Sequence, residues 1–364
     1  MDRARSELRV VSAGVCCALG HELAAAGPAI AANLDAFGTA GFLTDTGVPI
    51  PVAALPSGRV WGVSRLAHWA AWAVRDCLVN AYPGLTQEGL IGIARSCALL
   101  LLTPTAEALE DRDITVDGLP EAVANLLGLQ FSNATRLLPF GEAGLSRALD
   151  QAAALLEHAP EGRVLLVSAD SLLDVQLIER MVEEERLRVP GSDRDGFTPG
   201  EAAAAVLLEN PLRPGPAGIV GQADFRLLGW GGAEEAARWN NGLPNRSQGL
   251  TRAVRAALGA AHVTMADVDY RLSDQNGETF LVRDAANAMT RLMADVDPDR
   301  SPVLITLADK IGDVGVSVGV VGIALLHYLS NRPAFCPGQL GLIHLAQDDG
   351  LRCAIVVGTL PMAA

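Results

Sequence analysis

The stretch from Asp193 to Glu209 (DRDGFTPGEAAAAVLLE) constrains this chain more than any other. A charged turn runs through Asp195-Gly196-Phe197 to Gly200-Glu201, and a run of small apolar residues, Ala202–Leu208, then ends at Glu209. Gly200 lets backbone pack where a Cβ would collide, and so short an apolar run reads as a buried strand. Leu90–Leu102 and Arg163–Ser168 (RVLLVS) read the same way. Between these runs lie segments with helical spacing. They are Gly20–Leu34, Trp61–Asn80 with Ser64 as its N-cap, Leu119–Leu127, Leu145–Glu157 and the charged Glu179–Arg188, which reads as a surface helix.

A proline- and glycine-rich break (LRPGPAG) follows Asn210-Pro211, and a similar order of elements begins again. Ile219 to Gly229 reads as strand, Gly249–Leu258 as helix, Val268–Leu272 as strand and Asp284–Leu292 as helix. Val303–Thr306 is then strand, Val316–Leu329 helix, and Gly341–Leu345 and Cys353–Val357 strands. Strands alternating with helices predict an α/β protein with largely parallel sheets. The break divides it into two similar halves, 1–213 and 214–364.

Composition narrows the function classes. Half of the 364 residues are hydrophobic and only 19% are charged, so the chain can bury a large core and is not a disordered one. A net charge of −14 with no basic run excludes a phosphate-binding face, and with it nucleic acid. The longest apolar stretch, Gly315–Leu329, is glycine-rich and shorter than the ~20 residues of a membrane span, so a buried helix is expected and no membrane partner. No apolar cleavage-type leader follows MDRARSELRVV, and the six cysteines show no metal-ligand spacing. These features read as a cytoplasmic protein with reduced thiols. No metal, no phosphate-cradling loop and no dinucleotide fingerprint is expected, hence no cofactor. Lys310 is the only lysine; arginine supplies every other basic charge.

The 193–209 segment resembles the one that leaves the nucleophile-bearing half of the thiolase fold in β-ketoacyl synthases. Arg9–Gly20 (RVVSAGVCCALG) is similar to the opening strand and turn of that family, and Gly162–Asp170 (GRVLLVSAD) to the strand after its nucleophile helix. Met265–Leu272 (MADVDYRL) resembles the approach to the first catalytic histidine, and Gly315–Gly322 (GVSVGVVG) the glycine spacing after the second. The resemblance runs in order along nearly the whole chain. It implies a thiolase-like fold, two similar α/β halves in a layered α/β/α/β/α arrangement.

The catalytic set does not carry over. A ketosynthase needs a thiolate at the N-terminus of a buried helix, where amide N–H groups and the helix dipole lower its pKa. Counted back from Arg163–Ser168, that elbow falls in Pro139–Gly144 (PFGEAG), which has neither Cys nor Ser; Glu142 is its only reactive side chain. The first histidine's turn falls in Ser273–Thr279 (SDQNGET), with Asp274 or Asn276 in its place. The second is replaced by Asp313 when matched from Lys310, or by Val316 when matched from the later glycines. Lys310 fits the lysine that precedes this histidine, with one extra residue of spacing. It reads either as part of a buried Asp309/Lys310/Asp313 cluster or as an ordinary salt-bridged loop lysine. The family's histidines donate to an oxyanion, a role that a carboxylate at 313 would oppose. Ala346–Arg352 (AQDDGLR) stands where the family has a glycine-rich gate and reads as a solvent hairpin turning at Asp349-Gly350. None of the six histidines has a nucleophile beside it in sequence.

The resemblance therefore implies a degenerate member without the Cys/His/His set, a pseudoenzyme acting as a dimeric binding or scaffold subunit. Its partner would be a second copy or an active ketosynthase, as for the chain-length factor of polyketide systems. Equally it could be an effector, as for the ketosynthase-like proteins found beside bacterial type VI secretion effectors. The glutamine usual at the cysteine position of chain-length factors is not seen, and the Ile311–Gly315 turn (IGDVG) sits closer to the second group. The alternative is an acyl-thioester enzyme of altered chemistry, an acyltransferase, decarboxylase or thioesterase using Glu142 with Asp274 or Asn276. Leu137, Leu138 and Phe140, facing Val316, Val318, Val320 and Val321, would crowd an acyl tunnel and count against acyl-thioester binding.

Overall fold

A computed structural model describes residues 7–56, 60–159, 162–192, 195–212 and 222–360. The first half contains β1 (Leu8–Cys17), α1 (Leu23–Ala31), β2 (Gly38–Leu43), β3 (Pro49–Val52), α2 (Gly62–Ala81), α3 (Gln87–Ala94), β4 (Cys97–Leu102), α4 (Ala106–Glu110), α5 (Leu119–Leu127), β5 (Arg136–Leu138), α6 (Leu145–His158), β6 (Arg163–Ser171), α7 (Val175–Glu183) and β7 (Glu201–Glu209). The second contains β8 (Asp224–Glu234), α8 (Gln248–Ala261), β9 (Tyr270–Ser273), α9 (Thr279–Leu292), β10 (Val303–Thr306), α10 (Ala308–Ile311), α11 (Val318–Ser330), β11 (Leu340–Ala346) and β12 (Leu351–Leu360).

Ten strands form one hydrogen-bonded sheet in the order β10-β9-β11-β12-β8-β1-β7-β6-β4-β5. Read outward from the β1–β8 seam, the two arms are the same: β1-β7-β6-β4-β5 on one side, β8-β12-β11-β9-β10 on the other. The sheet is mixed rather than largely parallel. Helical crossovers make β4 parallel to β5 and β6, and β9 parallel to β10 and β11, but every pair from β6 across the seam to β11 is antiparallel. The seam is two residue pairs long, Leu8 opposite Leu227 and Arg9 opposite Arg226. The expected division at 213/214, and the start of the strand expected from Ile219, lie outside the described residues.

The layers follow from which strand faces are apolar. Val10, Ala13 and Val15 of β1, the even-numbered residues Ala202–Leu208 of β7 and Cys353, Ile355 and Val357 of β12 bury α6 and α11 between the two arms. On the outer face of the first arm, Leu99, Leu101, Leu165 and the odd-numbered residues of β7 pack on α2 and α5. On the outer face of the second, Leu342, Ala354 and Val356 pack on α8 and α9. Alternation along each strand thus serves two cores, and the order is helix, sheet, helix, sheet, helix.

Local readings change in places. The Leu90–Leu102 run is a helix, α3, followed by β4. Thr86 caps α3 by accepting from the Gly89 N–H at 3.3 Å, and Leu90, Ile91 and Ile93 pack against the outer core. A continuous apolar run has no period that separates helix from strand. Ser64 lies inside α2, whose N-cap is Trp61. The charged helix spans Val175–Glu183 and ends before Arg188, because Glu185 turns left-handed at φ 58°. No helix among the described residues is long and apolar enough to cross a membrane.

Candidate functional site

After β5 the chain turns through Pro139–Gly144 into α6, the helix sealed between the two arms. The turn is tight. Gly141 has φ 71°, and a Cβ on Gly144 would lie 2.3 Å from the Phe140 carbonyl oxygen, so both positions need glycine. Gly141 N–H donates to the Thr103 carbonyl at 3.1 Å. Ala143 N–H, at the mouth of the helix, donates to Gln347 Oε1 at 3.2 Å. Between them Glu142 lines a cavity of about 400 Å³. Among the described residues no hydrogen bond or ion pair reaches its carboxyl.

The opposite wall comes from the second half. Asn276 Nδ2 donates to Asp313 Oδ2 at 2.7 Å and to Glu278 Oε2 at 3.1 Å, and Asp313 Oδ1 accepts the Gly315 N–H at 2.9 Å. Asp313 is fixed through its backbone too, with Thr198 O and Gly200 N–H each at 2.7 Å. A Cβ on Gly200 would lie 2.3 Å from the Ile311 carbonyl oxygen, so this glycine lets the end of the first half abut the 311–313 turn. Asn276 and Asp313 line the same cavity as Glu142. Asp274 lies behind them, where a short contact from the Ala346 N–H ties the start of the 274–278 loop to β11.

Three of the five candidate residues thus meet in one cavity, Asp274 acts through its charge, and Lys310 stands apart. Lys310 Nζ donates to Asp309 Oδ2 at 2.7 Å and Thr306 O at 3.1 Å, and it does not reach Asp313. Val316 lines the cavity, whereas Val318, Val320 and Val321 are buried in the central core.

The electrostatics of this cluster are unusual. Burial pushes the Glu142 carboxyl well above the usual range, and the charges of Asp274 and Asp313 push it further. Burial also lifts Asp274 to about 7, against the opposing Ala346 N–H and Arg352. Asp313 is raised by burial despite the Asn276 and Gly315 hydrogen bonds.

Arg186 organises the cavity rim and was not legible as a functional residue. Its Nε and Nη2 hold Glu278 at 2.7 and 2.8 Å, its Nη1 holds Asp348 Oδ2 at 2.6 Å, and Trp239 stacks on it at 4.4 Å. The 347–350 turn is therefore only partly a solvent hairpin. Asp348 is drawn to Arg186 and Gln347 lies over the elbow. On the other side Arg112 pairs with Asp170 at 2.8 Å, and Asp170 Oδ2 accepts the Val316 N–H at 3.0 Å.

Among the described residues the cavity lining holds no cysteine, histidine, serine or lysine. Five of the six thiols are buried, and burial pushes Cys17 and Cys97 to about 11 and Cys353 to about 12; Cys336 is half-buried. His344 is buried in β11 beside Arg271 Nη1, and burial lowers it to about 3. No group of three or more His, Cys, Asp or Glu among the described residues is placed to hold a metal ion.

No protein-family model and no curated protein matches the sequence. Solved structures do. The ishigamide ketosynthase/chain length factor superposes with a TM-score of 0.75 at 17% identity, over 98% of this chain and 100% of that one. The fold is the thiolase-like fold of the ketosynthases. A type II polyketide synthase ketosynthase, in complex with its acyl-carrier protein, matches at TM-score 0.73 and 14% identity, covering 98% and 99% of the two chains. A ketosynthase in complex with its chain length factor from Xenorhabdus doucetiae matches at 0.72 and 14%, covering 97% and 98%. At these identities the likeness to the ketosynthases is one of fold, and the site has to be read from its own residues.

Proposed function

We propose that this chain is a non-catalytic ketosynthase-like subunit that works by binding, as a homodimer or paired with an active ketosynthase or an effector protein. One observation carries this reading. Where a ketosynthase would present a thiolate under two imidazoles, the elbow presents an unpartnered carboxyl under further carboxyls. These groups repel an oxyanion, and Gln347 already occupies the Ala143 N–H that could have stabilised one. Two of the similar structures pair a ketosynthase with a chain length factor, so the fold is one used alongside active ketosynthases.

The test is intact-protein mass spectrometry after incubation with acyl- and malonyl-thioesters, together with light scattering for assembly. The expected outcome is an unmodified mass, no thioester turnover and a dimeric particle or a stable complex with a co-purified partner. A second reading, an acyl-thioester enzyme of altered chemistry, draws on the raised pKa of Glu142, which would let it hold a proton to deliver as an acid. Thioester turnover that disappears in Glu142→Gln would establish that reading and overturn the first.

A further inference from the structure

The fold supplies an arginine to nearly every carboxylate it buries. Asp170, Glu201, Glu209, Glu278 and Asp284 have Arg112, Arg65, Arg9, Arg186 and Arg352 within 2.6–2.8 Å. Buried Glu235 is held instead by the Gly249 N–H at the start of α8. Among the described residues Glu142 has neither kind of partner, and Asp313, across the same cavity, accepts hydrogen bonds only from neutral donors and feels the Arg186 charge without pairing to it.

Nine carboxyl side chains and four arginines line the cavity. Glu107, Asp111, Glu184, Asp348 and Asp349 stand exposed at its rim, and Asp170 and Glu278 are buried against arginines, so the imbalance lies with Glu142 and Asp313. Three of the arginines are already engaged, Arg112 by Asp170, Arg180 by Asp111 and Arg186 by Glu278 and Asp348. Burying carboxyls together without a counter-charge is costly unless something completes the site. Among the described residues donors are not grouped for a metal ion, which favours a counter-charge carried on carbon. Leu172, Leu281 and Trp239 offer that carbon an apolar wall. A volume of about 400 Å³ falls in the range of small-ligand sites.

We propose that this cavity binds a small organic cation, an ammonium or guanidinium compound, with its charge seated between Glu142 and Asp313. It extends the binding-subunit reading by naming what is bound, and shares with it only the premise that the cavity performs no condensation. The expected contacts are charge-assisted hydrogen bonds from the ligand N–H groups to the Glu142 and Asp313 oxygens, with Asn276 holding Asp313 in place.

The test is calorimetric titration of the full chain with putrescine and agmatine, with 1,4-butanediol, glutarate and KCl of matched ionic strength as controls. Saturable binding of at least one amine is expected, weakened about tenfold or more in Glu142→Gln and in Asp313→Asn. Both variants keep the size of the side chain, and Asn at 313 still accepts from the Gly315 N–H. Circular dichroism and a thermal melt check that each remains folded. The proposal is overturned if no amine binds saturably at millimolar concentration, if the diol or KCl gives the same signal, or if both folded variants bind as the unaltered chain does. Thioester turnover is scored separately on the same preparation. Turnover with amine binding removes the non-catalytic reading and leaves this one; neither turnover nor amine binding does the reverse.

Discussion

At the scale of single residues, the cavity concentrates groups held away from their ordinary ionisation. The Glu142 carboxyl has a folded-state pKa above its usual 4.5, so it disfavours the folded state once the pH passes that value. The penalty is fully present above the folded pKa and disappears as the pH falls to 4.5. Glu142→Gln should therefore raise the thermal midpoint, and by more at pH 8 than at pH 5. Equal midpoints across that range would mean that the carboxyl is already compensated. Arg186 works in the opposite sense. Arg186→Ala would strand Glu278 in the interior, and breaking such a buried pair costs about 3–5 kcal/mol. Urea denaturation measures that loss directly, and Arg186→Lys should recover little of it, since one ammonium cannot reproduce the two-point grip on Glu278. Glu142, Asn276 and Asp313 could be found in the sequence because each sits at a countable distance from a recognisable strand or glycine pattern. Arg186 could not. Its charged neighbours read as one surface helix, and only the left-handed turn at Glu185 swings it inward.

At the scale of elements, the β11–β12 hairpin is what closes the elbow. Gln347 accepts from the Ala143 N–H and occupies the space that a side chain at Gly141 would need, 2.3 Å from the ideal Cβ position. Gly141→Ala should cost about 1–2 kcal/mol for its left-handed backbone alone, plus the displacement of Gln347. Hydrogen exchange at the Ala143 amide should accelerate in that variant; unchanged protection would show that Gln347 does not hold the elbow. The sequence showed that a glycine-rich gate was absent, but not that a side chain from the same hairpin took over its position. Such a contact joins residues about 200 positions apart and leaves no local pattern. The same limit explains α3, whose apolar residues alone could not distinguish a helix against α2 from another buried strand.

Over the whole molecule, acid stability should be set by buried histidines. His327 is buried with both ring nitrogens unpartnered among the described residues, and burial, then Arg9 and Arg332, lowers it from 6.5 to about 4. A neutral imidazole favours the folded state fully above 6.5, and that contribution drains away as the pH falls from 6.5 through about 4. His344 adds to the decline in the same direction. His327→Leu should flatten the fall in stability below pH 6.5, by up to about 3 kcal/mol at the acid end. A melt series from pH 4 to 8 that runs parallel to that of the unaltered chain would contradict this. The fold was legible at this scale because several weak segments stood in one order over nearly the full length. The mixed sheet was not, since strand direction depends on which connections return beside their own strand.

The two arms share one interior, in which α6 from the first half and α11 from the second are buried together. Translation runs at roughly 5–20 residues per second, so α11 leaves the ribosome seconds after β7 is complete. During that interval the inner face of the first arm, with its rows of alanine, valine and leucine, has nothing to close against. A nascent chain of this design should lean on a chaperone until its second half arrives, and a messenger cut short between the halves should yield aggregate rather than a working fragment.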